Sequence, residues 1–166
     1  ILHSVKVIAM VGASSNVVRP SYLVMQYLLS KGYDVIPVNP GLAGRELQGK
    51  MVYGTLKDIP QAIDMVDIFR NSDAAGTIVD EALTLTPLPS VIWMQLSVRD
   101  DAAAMRAEAA GVKVVMNRCP KMEYGKQSGE WAWVGGNSGI LSSRRQNMHE
   151  SGKMQSLGLG VIPTKR

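Results

Sequence analysis

Hydrophobic residues along this chain fall into short, nearly continuous runs, separated by segments that are apolar on one face only. The first run, Val5-Lys6-Val7-Ile8-Ala9-Met10-Val11, is rich in β-branched residues and reads as a buried strand. It stops at Gly12-Ala13-Ser14-Ser15-Asn16, and Pro20 opens an amphipathic helix to about Lys31. A second run, Asp34–Val38, is closed by Asn39-Pro40-Gly41, where Pro40 disfavours helix before it. An extended piece near Met51–Tyr53 and a weak helix around Lys57–Ala62 lead to a third strand at Met65–Phe69. A helix over Asp73–Leu85 follows, with Ser72 or Asp73 as its N-cap. Pro87-Leu88-Pro89 then ends that helix and starts a strand at Val91–Met94. An alanine-rich helix over Asp100–Ala110 and a fifth strand at Lys113–Met116 complete the pattern.

Apolar strands alternating with helices imply a parallel sheet covered on both faces. The expected fold is therefore α/β: a Rossmann-like, doubly wound, five-stranded sheet with helices on both faces, in strand order 3-2-1-4-5. The regular pattern spans 1–124. Beyond Tyr124 it gives way to a Gly/Ser-rich, basic extension over 125–166, expected to be partly flexible, with Trp131 and Trp133 near its start. No internal repeat is present.

Composition narrows the class. A chain of 166 residues suits one domain, and with Phe69 as its only phenylalanine the core is aliphatic. The single cysteine, Cys119, excludes an internal disulfide and agrees with a reducing compartment, so a cytoplasmic location is expected. The chain begins at Ile1, which leaves an organelle-targeting segment open. No apolar run approaches the roughly 20 residues that span a bilayer, so no membrane association is expected. Residues 1–117 hold ten Lys and Arg against eleven Asp and Glu, while 118–166 hold eight against three. The basic excess thus belongs to the C-terminal part, including Arg144-Arg145 and Lys165-Arg166, scattered among Gly, Ser and Asn. That is a solvated tail rather than a basic face with interleaved aromatics, so nucleic acid is not expected as a partner.

Ligands of such sheets lie at the carboxyl ends of the strands. Those ends carry Gly12–Asn16, Asn39-Pro40, Phe69–Ser72, Gln95–Ser97 and Asn117–Pro120, with Arg19, Arg70 and Arg118 nearby. A glycine-led turn feeding a helix N-terminus offers free N–H groups and the positive end of a helix dipole to an anion. The rim holds no histidine and no carboxylate pair, and no metal site is expected. Taken singly, each residue has a plainer role open to it. Ser14 or Asn16 can cap a helix, Arg70 can pair with Asp73, and Asn39-Pro40 can form only a turn.

The first turn lacks the G-x-G-x-x-G fingerprint, and the second strand ends in Val38-Asn39-Pro40 without a ribose-binding acid. NAD is therefore disfavoured. No Walker A sequence appears either. Arg45, just beyond the second strand, is placed to meet an extra ribose phosphate, as NADP or coenzyme A would present.

Several segments carry a family resemblance. They are Val11-Gly12-Ala13-Ser14-Ser15, Arg19-Pro20-Ser21-Tyr22, Val35–Pro40, Tyr53-Gly54-Thr55-Leu56, Val66–Ser72, Ile92–Leu96 and Met116–Lys121. In this order the set resembles the small, stand-alone CoA-binding domain proteins, themselves similar to the CoA-binding domain of the succinyl-CoA synthetase alpha subunit. The likeness runs from Val5 to Tyr124, and the stretch from Trp131 to Arg145 resembles a C-terminal extension of some members. The resemblance implies that Gly12, Ser14, Ser15 and Arg19 surround the CoA phosphates, with Asn39 and Pro40 beside the adenosine; Ala13 and Pro20 are also expected to bind the ligand. It also implies that Phe69, Arg70, Asn71 and Ser72 line the ligand and that Gln95 lies near the pantetheine path. Two departures stand out: Ser97 replaces a usual glycine, and Thr84–Ser90 replaces a glycine-containing turn.

The synthetase's phosphorylated histidine belongs to a domain this chain lacks, and His3 and His149 stand outside any strand–helix motif. The expected function is therefore binding of coenzyme A or a short acyl-CoA without catalysis by this chain. An NADP-type oxidoreductase or a subunit of an acyl-CoA synthetase is the alternative. Cys119 has two readings, a packed structural thiol or a group that meets the ligand thiol, and the second needs a lowered pKa. The acyl group, the pathway and a homo-oligomeric or protein partner stay open.

Overall fold

The computed structural model describes residues 1–130. The expectations for Trp131 to Arg145, His149 and the basic C-terminus lie outside these residues. The principal strands are β1 (Val7–Val11), β2 (Asp34–Val38), β5 (Met65–Ile68), β6 (Val91–Met94) and β7 (Lys113–Val115), all parallel. Two short strands, β3 (Glu46–Leu47) and β4 (Lys50–Met51), form a separate antiparallel hairpin. The helices are α1 (Pro20–Ser30), α2 (Ser72–Ala82), α3 (Asp101–Ala109) and α4 (Pro120–Gln127).

The two faces of the sheet follow from the period-two alternation of its strands. Ile8, Met10 and Met65 point to one face and pack with Val24, Met25 and Leu28 of α1. Ala9, Val66 and Ile68 point to the other and pack with Ala75, Val79 and Ala82 of α2 and with Ala103 and Ala107 of α3. On α1 the buried positions Ser21, Val24, Met25 and Leu28 recur at helical spacing, which is why this segment docks along one stripe.

The α/β class, the five parallel strands and the helices on both faces are as expected. The strand order is not. Counting the long strands alone, the order is 2-1-3-4-5, because Met65–Ile68 inserts beside β1 instead of lying outside β2. All four of its residues are buried, and it pairs with β1 on one side and β6 on the other. The outer side of β2 is taken by the extended piece near Tyr53, through a single parallel bridge from Val38 to Tyr53. The weak helix expected over Lys57–Ala62 is only a 3-10 turn at Leu56–Asp58, and Leu56, Ile59 and Ile63 fill the layer beside α2. Helix α4 was not anticipated: Pro120 opens it after the turn 116–119, but its sequence lacks a clear apolar stripe.

The order 2-1-3-4-5 places the topological switch between β1 and β5. From β1 the chain leaves to α1 on one face, and from β5 it leaves to α2 on the other. The crevice above their carboxyl ends is where a ligand is accommodated.

Candidate functional site

That crevice is a cavity of about 750 Å³, within the range of small-molecule sites. Gly12, Ala13 and Ser14 follow β1 into its wall, and Arg19 and Pro20 enter at the head of α1. Asn39 comes from the end of β2. Phe69, Arg70, Asn71 and Ser72 come from the turn between β5 and α2, Gln95 from the end of β6, and Cys119 from the start of α4. Ser15, Pro40 and Arg45 were also expected at the site but are not among these walls. Ser15 and Pro40 each stand one residue beyond a wall residue. Arg45 is exposed, immediately before β3.

The loop after β1 is shaped by close approach. Gly12 has φ +91°, and a Cβ there would lie 2.7 Å from the carbonyl oxygen of Phe69, so only glycine fits without displacement. Its N–H donates to the Val38 carbonyl at 3.0 Å, tying the loop to β2. Asn39 braces the same loop from the other side: Nδ2 donates to the Ala13 carbonyl at 2.7 Å, while Oδ1 accepts from the Gly41 N–H at 2.8 Å. Asn39 is thus both a turn residue and a loop support.

Ser14 and Asn16 do not cap α1. Ser14 Oγ accepts from the Asn16 N–H and Asn16 Oδ1 from the Val18 N–H, both at 3.1 Å, so they fold the loop upon itself. The N-cap position is Arg19, which supplies no side-chain cap. The N–H groups of Ala13, Ser14 and Ser15 find no acceptor among the described residues. Consecutive free N–H groups at the head of a helix make an anion cradle.

Charge agrees with that geometry. Neither Arg19 nor Arg70 has an ion pair or side-chain hydrogen bond among the described residues, and the Arg70–Asp73 pair considered from sequence is not formed. Asp73 lines the cavity too, in the first turn of α2, where a carboxylate suits the helix dipole. The cap of α2 is Asn71 rather than Ser72 or Asp73: its Oδ1 accepts from the Ala74 N–H at 3.2 Å. Arg118 lies outside the wall, its Nη1 donating to the Asn117 carbonyl at 3.0 Å.

The inner end of the cavity is less polar. Cys119 is buried, and burial pushes its thiol upward in pKa, with the nearby Asp67 adding to the rise. The N–H groups of Met122 and Lys121 act the other way but do not prevail. The lowered pKa that a reactive thiol requires is therefore not met.

Beneath Gln95 lies a group the sequence reading missed. Asp67 is fully buried in β5, and its Oδ1 accepts from Gln95 Nε2 at 2.9 Å. Its Oδ2 has no partner among the described residues, and burial pushes the carboxyl up to about 7. The available signal was an acid inside an otherwise apolar strand, Met65-Val66-Asp67-Ile68. Leu96 and Ser97 of the strand-end rim also line the cavity, as do Ser21, Val24, Asp73 and Val98, which were not placed there from sequence.

The sequence matches the family model described as the CoA binding domain over residues 6–125. The chain belongs to the CoA binding domain family. This CoA binding domain is 34% identical over 124 residues to the uncharacterized protein YneT of Bacillus subtilis, covering 75% of this chain and 89% of that protein. It is 37% identical to a hypothetical protein from Pyrococcus horikoshii of known structure, with a TM-score of 0.71 over 76% of this chain and 86% of that one. In fold alone it is similar to part of a dinucleotide-forming acetyl-coenzyme A synthetase of Ca. Korarchaeum cryptofilum. That match has 24% identity and a TM-score of 0.58, over 66% of this chain and 25% of the synthetase.

Two details of this CoA binding domain bear on its cavity. Ser97 has φ +68°, and its N–H donates to Asn117 Oδ1 at 2.8 Å. Asn117 is itself left-handed, with φ +55°. The wall after β6 is therefore held in a backbone form that glycine adopts more readily. No helix among the described residues is long and apolar enough to cross a membrane.

Proposed function

We propose that this chain binds coenzyme A or a short acyl-CoA in the cavity above β1 and β5, without catalysis of its own. The observation that carries the reading is the row of free N–H groups at Ala13, Ser14 and Ser15, beside the unpaired Arg19 and Arg70. A pyrophosphate seated there meets backbone donors, a helix N-terminus and two guanidinium groups at once. The adenosine then points toward Asn39, Pro40 and Arg45, and the pantetheine arm runs the other way, toward Gln95 and Cys119. The binding unit spans 1–124, with 125–166 as an appended basic segment.

The wall chemistry supports a reading without turnover. Its titratable members are Asp73, which sits at an exposed helix start, and Cys119, whose thiol is held protonated. Among the described residues neither makes the side-chain hydrogen bond to a base or orienting group that a nucleophile or general acid needs, and Asp67 only raises the thiol further. Titration calorimetry with CoA, paired with assays for consumption of acyl-CoA, NADPH and ATP, tests the reading. Saturable CoA binding with no sustained rate is expected. A sustained rate abolished by substitution of a wall residue would contradict it.

A further inference from the structure

We infer that Asp67 fixes the side-chain amide of Gln95 so that its Oε1 offers a hydrogen-bond acceptor to the inner end of the cavity, selecting a ligand arm with an N–H or O–H donor there. The inference rests on the CoA reading, since a pantetheine arm carries two amide N–H groups and a hydroxyl.

Gln95 is nearly buried and its backbone is held by the Ile68 carbonyl at 3.3 Å, leaving the amide little freedom. Nε2 donates to Asp67 Oδ1 at 2.9 Å, and an ionised carboxylate can only accept. The amide must therefore turn its NH2 inward and its oxygen outward. Oε1 has no partner among the described residues, and Gln95 lines the cavity.

The surroundings of Asp67 leave Gln95 as its hydrogen-bond partner. Across the sheet it is flanked by Met10 of β1 and Trp93 of β6, whose indole N–H is already given to the Arg118 carbonyl at 2.7 Å. From α1 the same layer receives Val24 and Met25, both apolar. From the head of α4 it receives Cys119, the titratable group on which Asp67 acts. When Asp67 takes up a proton, its O–H can donate to Oε1 and the amide can turn over, presenting Nε2 to the cavity. Recognition of a donor on the arm is then lost toward acid.

The test compares CoA with the β-methyl ester of 3′-phosphoadenosine 5′-diphosphate, which keeps the nucleotide end with its pyrophosphate diester and lacks the arm, by calorimetry from about pH 5.5 to about pH 8. Phosphate protonation affects both ligands, so the ratio of affinities isolates the arm. For the unaltered protein the ratio should rise about tenfold toward alkaline pH, one hydrogen bond's worth. In Asp67→Asn the ratio should stay flat. Gln95→Met should weaken CoA about tenfold and leave the arm-less ligand unchanged. A pH-independent ratio in the unaltered protein, or full CoA affinity in Gln95→Met, overturns the inference while the CoA reading stands. If neither ligand binds the unaltered protein, the CoA reading itself falls and the inference with it.

Discussion

Gly12 and Phe69 set the width of the cavity floor: the backbone of one approaches that of the other so closely that a Cβ on Gly12 would stand 2.7 Å from the Phe69 carbonyl oxygen. This contact joins the ends of β1 and β5 at the switch point. It also leaves Gly12 in a left-handed conformation, φ +91°.

Gly12→Ala therefore meets two penalties, a clash with backbone and an unfavourable φ. Together they should cost about 1–3 kcal/mol. At this chain length that lowers Tm by roughly 2–12 °C. A thermal melt without ligand checks it, and an unchanged Tm would show that the two loops can part freely.

Arg19 serves the opposite purpose. It is exposed and its side chain has no partner among the described residues, so the fold does not depend on that side chain. Arg19→Ala should leave the ligand-free Tm in place and weaken CoA binding by about 1.5–3 kcal/mol, as for a hydrogen bond to a charged group. Unchanged affinity by calorimetry would place Arg19 outside the contact.

Asn39 combines both roles. Its side chain makes two hydrogen bonds that hold the phosphate loop against the end of β2. Asn39→Ala should cost about 1–2 kcal/mol of stability, read from denaturant midpoints, and should also weaken CoA binding. Loss of stability with full affinity would mean that the loop keeps its shape without the brace.

Much of the site was legible because it depends on local sequence. The glycine-led loop, the Pro20 helix start and the Asn39-Pro40 turn are signalled by residues within a few positions of one another. The placement of Met65–Ile68 was not, because strand order depends on which edge the intervening residues cover, and here Tyr53 takes the outside of β2. Asp67 was missed for a similar reason. Its meaning lies in Gln95, 28 residues away in the chain and adjacent only across the sheet. Arg45 stands in the turn before β3 and is not among the cavity walls.

Asp67 also makes a pH prediction for stability. Its carboxyl titrates near 7 when folded, against an ordinary value of 3.8. The folded state thus holds a proton that the unfolded state releases between those values. Stability from this group is full below pH about 4 and is lost as pH rises through about 7. Relative to Asp67→Asn, the unaltered protein should lose on the order of 1 kcal/mol per pH unit across that window. Chemical denaturation of both proteins at several pH values measures it, and parallel pH profiles would show that Asp67 ionises in the folded protein as it does in water.

The most direct test of the account is a set of thermal melts of the unaltered protein with CoA, NAD, NADP and ATP, each in turn. CoA at about 100 times its dissociation constant should stabilise the fold by roughly 2.7 kcal/mol, seen as a rise in Tm, while NAD should give none. A rise with NAD and none with CoA would contradict the assignment of this cavity to coenzyme A.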